Sequence, residues 1–222
     1  MSDELKRQAA VQALAEIRDG MIVGLGTGST AAHFIRELGR ARLKIGGIPT
    51  SEDSRQLAEE AGVRLTTLQE HPRIDVTVDG ADEVSPELDL IKGLGGALVR
   101  EKIVAHASDR VVIIVDESKL VDRLGQRTVI PIEVIPLAVP RVLLLLQPLG
   151  GVAHVRERDG RPFVSDNGNN IVDWNHGSID DPTTLEKQLK AMTGIVDSGI
   201  FARVANCVIV AGKQGIRKLH RP

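Results

Sequence analysis

Apolar and polar positions follow two periods along the first 120 residues. Residues 4–18 carry apolar side chains at helical spacing, and Gly20 supplies a stop signal. The run MIVGL, 21–25, has the continuous apolar character of a buried strand, and helical spacing returns over 30–38. The pattern then repeats: a strand over 43–50, a helix over 53–61 closed by Gly62, a strand over 74–79, a helix over 96–107 and a strand over 110–116. Strands alternating with helices predict an α/β fold whose mostly parallel sheet is covered on both faces. Ligands of such sheets bind beyond the carboxyl ends of the strands, so chemistry is expected in the loops that follow them.

The patterning changes near Arg127. TVIPIEVIPLAVP carries three prolines, and VLLLLQPLGG reads as a buried helix that ends at Gly150. Short strands are predicted over 152–157, 162–165 and 170–174, with RDGR and DNGN as the turns between them. A helix over 184–192 and a strand over 195–201 follow. These elements predict a small α+β domain, 128–204, inserted into a larger one made of 1–127 and 205–222. The run CVIVA, 207–211, is the strand expected to rejoin the first sheet. The aliphatic stretches 142–146 and 195–201 give the small domain more apolar surface than it is expected to cover alone, which predicts self-association.

Composition narrows the function classes. The net charge is −2, and there are three Phe, one Trp and no Tyr, so neither an electrostatic footprint nor stacking surfaces for nucleic acid are present. Cys207 is the only cysteine, which excludes an internal disulfide and a Cys-rich metal site. The first residues lack the apolar core of a signal peptide, and no apolar run reaches the ~20 residues of a membrane span. A soluble cytoplasmic protein with no membrane partner is expected.

Four loops carry candidate chemistry. GLGTGST, 24–30, sits where a strand turns into a helix; its glycines let backbone N–H groups approach an anion, and Ser29 and Thr30 add hydroxyls. The plainer alternative is a tight turn with an N-cap serine. The spacing Gly26-x-Gly28-x-x-Ala31 also fits a dinucleotide fingerprint, with Glu52 or Asp53 as the ribose-binding acid, and the absence of GK[ST] excludes a P-loop. In VDGADEV, Asp79, Asp82 and Glu83 crowd the turn after a buried strand, a set suited to a hard cation or to acid–base work. Lys92 precedes a third glycine loop, Gly93-Leu94-Gly95-Gly96, suited to holding an oxyanion. In the helix that follows, Ala97, Leu98, Val104 and Ala105 surround Glu101. A short carboxylate among apolar neighbours is expected to be buried and to shuttle protons, while Arg100 and Lys102 snorkel outward. Lys119 lies just past a fourth strand end; alone it reads as a surface charge, and Asp116 and Ser118 add little. Together the loops suit proton abstraction beside the carbonyl of a phosphorylated substrate.

These residues, in this order, resemble ribose-5-phosphate isomerase of the A type. The likeness runs through TAAHFIREL, DGADE, IKGLGGALVREKI, DESK, IPIEVIP, DNGNNIVD and GIFAR, nearly the whole chain. It implies a Rossmann-like domain plus a small α+β domain, no metal and no organic cofactor, and a homodimer or homotetramer. It also implies a sugar phosphate substrate interconverted between ribose 5-phosphate and ribulose 5-phosphate in the non-oxidative pentose phosphate pathway. Substrate contacts are implied at Thr27, Gly28, Ser29 and Thr30, at Asp79, Gly80, Ala81 and Asp82, at Lys92, Gly93, Leu94 and Gly95, and at Lys119, with Lys6 helping to hold the phosphate. Glu101 is the implied catalytic base. Asp79 assists ring opening, Asp82 serves the hydroxyls, and Lys92 with backbone N–H groups stabilises an enediolate. Leu94 stands where some relatives carry glycine. Two rival classes are a dinucleotide-dependent oxidoreductase and a sugar-phosphate-sensing module of a transcriptional regulator. The first leaves Lys92 and the DGAD cluster without roles. The second would need a DNA-binding domain, for which a single helix before the first strand is expected to leave no room.

Overall fold

Six strands form the sheet that the first half of the chain predicts, in the order Gly215–His220, Cys207–Gly212, Val111–Asp116, Val76–Asp79, Ile22–Leu25, Gly46–Pro49. All neighbours are parallel except the final hairpin, Cys207–Gly212 with Gly215–His220. The computed structural model describes residues 3–221. The sheet belongs to the first of two units, formed by the described residues up to Ala81, Arg100–Leu120 and the described residues from Val204 onward.

Helices Asp3–Ala13 and Ser29–Ala41 pack on one face of this sheet through Ala9, Ala10 and Ala13 and through Phe34, Ile35 and Leu38. The latter spacing is the apolar stripe of a surface helix. They meet Val23, Leu25, Val76, Val78, Val112, Ile114 and Ile209, which alternate along their strands as a pleated sheet requires. On the other face, Ile48, Ile74 and Val104 form a second cluster. Val104 belongs to helix Leu98–His106, and Gly24 is what lets it approach: a Cβ there would collide with the Thr77 side chain and lie 2.6 Å from Val104 Cγ1.

The second unit comprises Asp82–Val99 and Val121–Arg203. Its antiparallel sheet has the order Ile195–Ser198, Ile130–Val134, Asn170–Asn175, Val152–Val155. Helices Val139–Leu146 and Pro182–Lys190 cover it, burying Val142, Leu146, Leu185 and Leu189 with Ile132, Val134 and Trp174. A smaller antiparallel sheet joins Ile200–Phe201, Leu90–Ile91 and Glu83–Val84. The chain therefore has a mostly parallel central sheet and a smaller α+β unit, the fold class that the patterning predicts.

Several details differ from the reading of the sequence. Asp82–Val99 falls in the second unit, although the sequence assigns 1–127 to the first. Its strands are two residues each; Leu90–Ile91 pairs with Glu83–Val84 on one side and with Ile200–Phe201, more than a hundred positions away, on the other, so no local period announces them. The proline-bearing run 130–134 is a central strand: Pro131 contributes only its carbonyl, which accepts from Gly199 N–H at 2.6 Å. The expected strand 195–201 is two strands in different sheets, divided at Gly199, where a Cβ would collide with the Lys92 carbonyl oxygen. The first helix gives way after Ala13 to a 3₁₀ turn, Leu14–Glu16, and the edge strand Gly215–His220 was not anticipated. The aliphatic surface lies only partly in the stretches 142–146 and 195–201. Val142, Leu146, Ile195, Ile200 and Phe201 are buried, whereas Leu137 is 92%, Leu144 54% and Ile135 48% exposed. Among the described residues no helix is long and apolar enough to cross a membrane.

Candidate active site

The first unit brings three of the four loops to the carboxyl ends of adjacent parallel strands. Loop 26–28 follows Ile22–Leu25, Gly80 and Ala81 follow Val76–Asp79, and the 3₁₀ turn Glu117–Lys119 follows Val111–Asp116. The GTGST loop is built by side chains from neighbouring strand ends. Asp79 Oδ1 accepts the Thr27 N–H at 3.0 Å and the Gly80 N–H at 2.7 Å. The Thr27 hydroxyl donates to Ser51 Oγ at 2.8 Å and lies 2.7 Å from Thr50 Oγ1, which itself donates to the Leu25 carbonyl. Gly26 is required by closeness, since a Cβ there would collide with the Asp79 carboxylate and backbone.

Helix Ser29–Ala41 begins directly after Gly28, whose φ of 102° suits glycine alone. No side chain caps it. The N-cap serine alternative is thereby set aside: Ser29 is the first helical residue, and its hydroxyl accepts from Lys6 Nζ at 2.7 Å. An uncapped helix N-terminus with a lysine at its first turn favours an anion. A cavity of about 320 Å³ opens beside the loop, lined by Gly26, Gly28, Ser29 and Asp53 among others. Glu52, the other candidate ribose acid, instead pairs with Arg55 at 2.8 Å and Arg100 at 3.0 Å. These pairs, Arg55 first, hold its carboxyl below the ordinary glutamate range.

Glu101 occupies the first turn of helix Leu98–His106 and is 4% exposed, as its neighbours imply. The expectation for the flanking cations is corrected. Lys102 is buried, Arg100 is half-buried, and the solvent stripe falls on Ile103, at 51%, and His106. The apolar neighbours of Glu101 mark its side of this nine-residue helix as covered, but how far the cover extends to Lys102 is set by what packs there, and that is not legible in the helix itself. Lys119 is half-buried on a turn that Asp116 caps, its Oδ1 accepting Ser118 N–H at 2.9 Å. Asp116 is 3% exposed and shapes the loop, a larger part than the sequence analysis gives it, and one that its Asx-turn position at a strand end signals.

The second unit holds the remaining candidates. Lys92 is 3% exposed, its backbone N–H donates to the Gly199 carbonyl at 2.9 Å, and its ammonium lies 5.6 Å above the Phe201 ring. The loop 93–96 closes through Gly96 N–H to the Gly93 carbonyl at 2.9 Å, with φ of 99° at Gly93 and 85° at Gly96. Asp82 Oδ2 accepts the Leu94 N–H at 3.1 Å. The three clustered carboxylates therefore part company. Asp79 binds one loop and Asp82 another, while Glu83, 1% exposed, accepts N–H groups of Gly125 at 2.5 Å, Arg127 at 2.6 Å and Thr128 at 2.9 Å. Glu83 is a structural anchor. Among the described residues no group of three His, Cys, Asp or Glu side chains is arranged to hold a metal ion.

Residues 46–215 match the family described as ribose 5-phosphate isomerase A (phosphoriboisomerase A). The chain belongs to that family. The ribose-5-phosphate isomerase A of Rhodopseudomonas palustris (strain HaA2) is 50% identical over 229 residues, covering 99% of this chain and 98% of that protein. A D-ribose-5-phosphate isomerase solved in complex with phospho-erythronic acid superposes with a TM-score of 0.97 at 43% identity, covering 100% of both chains. The ribose 5-phosphate isomerase A of Methanocaldococcus jannaschii superposes with a TM-score of 0.95 at 43% identity, covering 99% of this chain and 100% of that one. Membership of the isomerase A family at full length removes the oxidoreductase and regulator readings.

Proposed function

We propose that the chain interconverts ribose 5-phosphate and ribulose 5-phosphate through a cis-enediolate, without metal or organic cofactor. Full-length membership of the family supports the reaction. The observation that carries the residue roles is that the GTGST loop, Asp79 and the Lys119 turn share three neighbouring strand ends. The phosphate is assigned to the N–H groups and hydroxyls of 27–30, aided by Lys6 and Lys119. Asp79, fixed by Thr27 and Gly80, assists ring opening. Glu101 takes the proton from C2 and returns it to C1, while the hydroxyl proton passes from O2 to O1 with Asp82 serving the exchange. Lys92 and the Gly95 N–H hold the enediolate oxygen, while the Leu94 N–H stays on Asp82. A buried carboxylate suits the base because its surroundings exclude competing water.

The test is direct. Purified chain, ribose 5-phosphate and EDTA, with no nucleotide, should yield ribulose 5-phosphate. No turnover under any condition rejects the reaction, and turnover that needs added magnesium or manganese rejects the cofactor-free mechanism. A cytoplasmic setting and a homodimer or homotetramer complete the proposal. Exposed Leu137, Leu144 and Ile135 support self-association. Light scattering at micromolar concentration should give more than one chain mass, and a clean monomer refutes that part alone.

A further inference from the structure

The Arg156 guanidinium spends all three of its nitrogens inside the second unit. Nε donates to Asp173 Oδ2 at 2.8 Å and Nη2 to Asp173 Oδ1 at 2.5 Å, a bidentate fork. Nη1 donates to the Leu94 carbonyl at 2.7 Å and the Gly93 carbonyl at 3.2 Å. The side chains of Arg156 and Asp173 are only 13% and 11% exposed. They arise from the main antiparallel sheet: Asp173 lies opposite His154, and Arg156, two residues on, donates its N–H to the Ile171 carbonyl at 2.8 Å. Phe163 completes the support. The Arg156 guanidinium carbon lies 5.8 Å from its ring centroid, and the ring fills the space that a Cβ on Gly96 would enter.

The two carbonyls that Arg156 holds belong to the peptides whose N–H groups are those of Leu94 and Gly95. The first of these N–H groups goes to Asp82 Oδ2. A charge on the carbonyl end of a peptide polarises its N–H end, and hydrogen bonds in series strengthen one another. The guanidinium also turns both carbonyl oxygens away from any anion that the loop receives, as an oxyanion site requires.

We propose that Arg156, braced by Asp173, is a positioning residue for the isomerase reaction. It fixes the peptides 93–95 so that Leu94 N–H orients Asp82 and Gly95 N–H faces the reacting oxygen. This rests on the function proposed above. Nothing in RERDGR, where Arg156 is one of three arginines, singles it out in the sequence.

The test compares Arg156→Met and Arg156→Lys with wild type by steady-state kinetics, thermal melting and amide hydrogen exchange read by NMR. Lysine keeps the charge but cannot span Asp173 and two carbonyls at once. Both variants should melt as folded proteins and lose kcat by roughly 10- to 100-fold, as misplacement of a catalytic group does, with KM changed by less than about threefold. Exchange at Leu94, whose N–H is bonded to Asp82, should quicken by about tenfold or more while Val134 and Val172 stay protected. Should Arg156→Met fail to fold, Arg156→Lys carries the same expectations. A folded variant with more than about half of wild-type kcat and unchanged Leu94 exchange overturns the assignment. So does a loss that tracks loss of protection throughout the sheet. A wild type without turnover removes the function proposal itself, and this one with it.

Discussion

Glu83→Gln separates a structural carboxylate from the two proposed for catalysis, Asp79 and Asp82, that stand beside it in the sequence. Glu83 is 1% exposed, and its two oxygens accept three backbone N–H groups, from Gly125, Arg127 and Thr128. A glutamine has one acceptor oxygen. Its better orientation keeps that oxygen on Arg127 and Thr128 and turns its NH₂ toward Gly125 N–H, 2.5 Å from the wild-type oxygen, so donor faces donor. Leaving a buried N–H unsatisfied costs about 1–3 kcal/mol, and the two surviving bonds fall from charged to neutral strength, about 1 kcal/mol more. The expected loss is about 2–4 kcal/mol, or roughly 5–15 °C in Tm at about 2–4 °C per kcal/mol for a chain of this size. Urea and thermal melts measure it. Below the lowered transition, kcat should stay within about threefold of wild type, because Glu83 touches no group assigned to the chemistry. Asp82→Asn, one position earlier, should do the reverse and lower kcat with little change in Tm. An unchanged Tm with abolished turnover in Glu83→Gln would return Glu83 to the acid–base set and refute the reasoning.

Glu101→Gln should leave the substrate Kd nearly intact and lower kcat by about 10²–10⁴-fold, since an amide cannot accept a carbon-bound proton; a folded variant keeping more than about a tenth of wild-type kcat would sink the role of Glu101. Thr30→Ala combined with Lys119→Ala should raise KM chiefly, with a smaller fall in kcat because binding energy at the phosphate positions the reacting carbons; an unchanged KM would place the phosphate elsewhere. Glu16 is held below the ordinary glutamate range first by its hydrogen bond from Lys218 and further by Arg110, which outweigh partial burial. A depressed carboxylate contributes stability above its unfolded pKa and loses it as pH falls through the folded one. Glu16→Gln should therefore cost about 1 kcal/mol at neutral pH and converge with wild type in acid below the glutamate range; a difference that persists there would refute the pair's contribution.

Residues whose surroundings lie within one turn or one strand were legible before the fold was known. The four apolar neighbours of Glu101 are adjacent in the chain, so its burial followed from helical geometry alone. The glycines of GLGTGST marked a strand-to-helix turn because positive φ and close approach are local demands, met here at Gly28 and Gly26. Glu83 was not legible as an anchor, because its three partners lie more than forty residues away. The burial of Lys102 was not legible for a related reason: how far the cover on helix Leu98–His106 extends is set by the sheet beneath it.

The sequence by itself determined the alternation of strands and helices in the first unit, the loops that carry chemistry and the burial of Glu101. Each depends on periods of 2 and 3.6 residues or on backbone freedom at a glycine, which neighbouring residues settle. Only the tertiary structure decided that Asp82–Val99 joins the second unit, that three adjacent carboxylates serve three different backbone segments, and that Arg156 and Asp173 reach the loop after Lys92. Those outcomes are hydrogen bonds between strand ends and loops far apart in the chain. A buried N–H or carboxylate oxygen must be paired with whatever the fold brings to it, and no local pattern records what that will be.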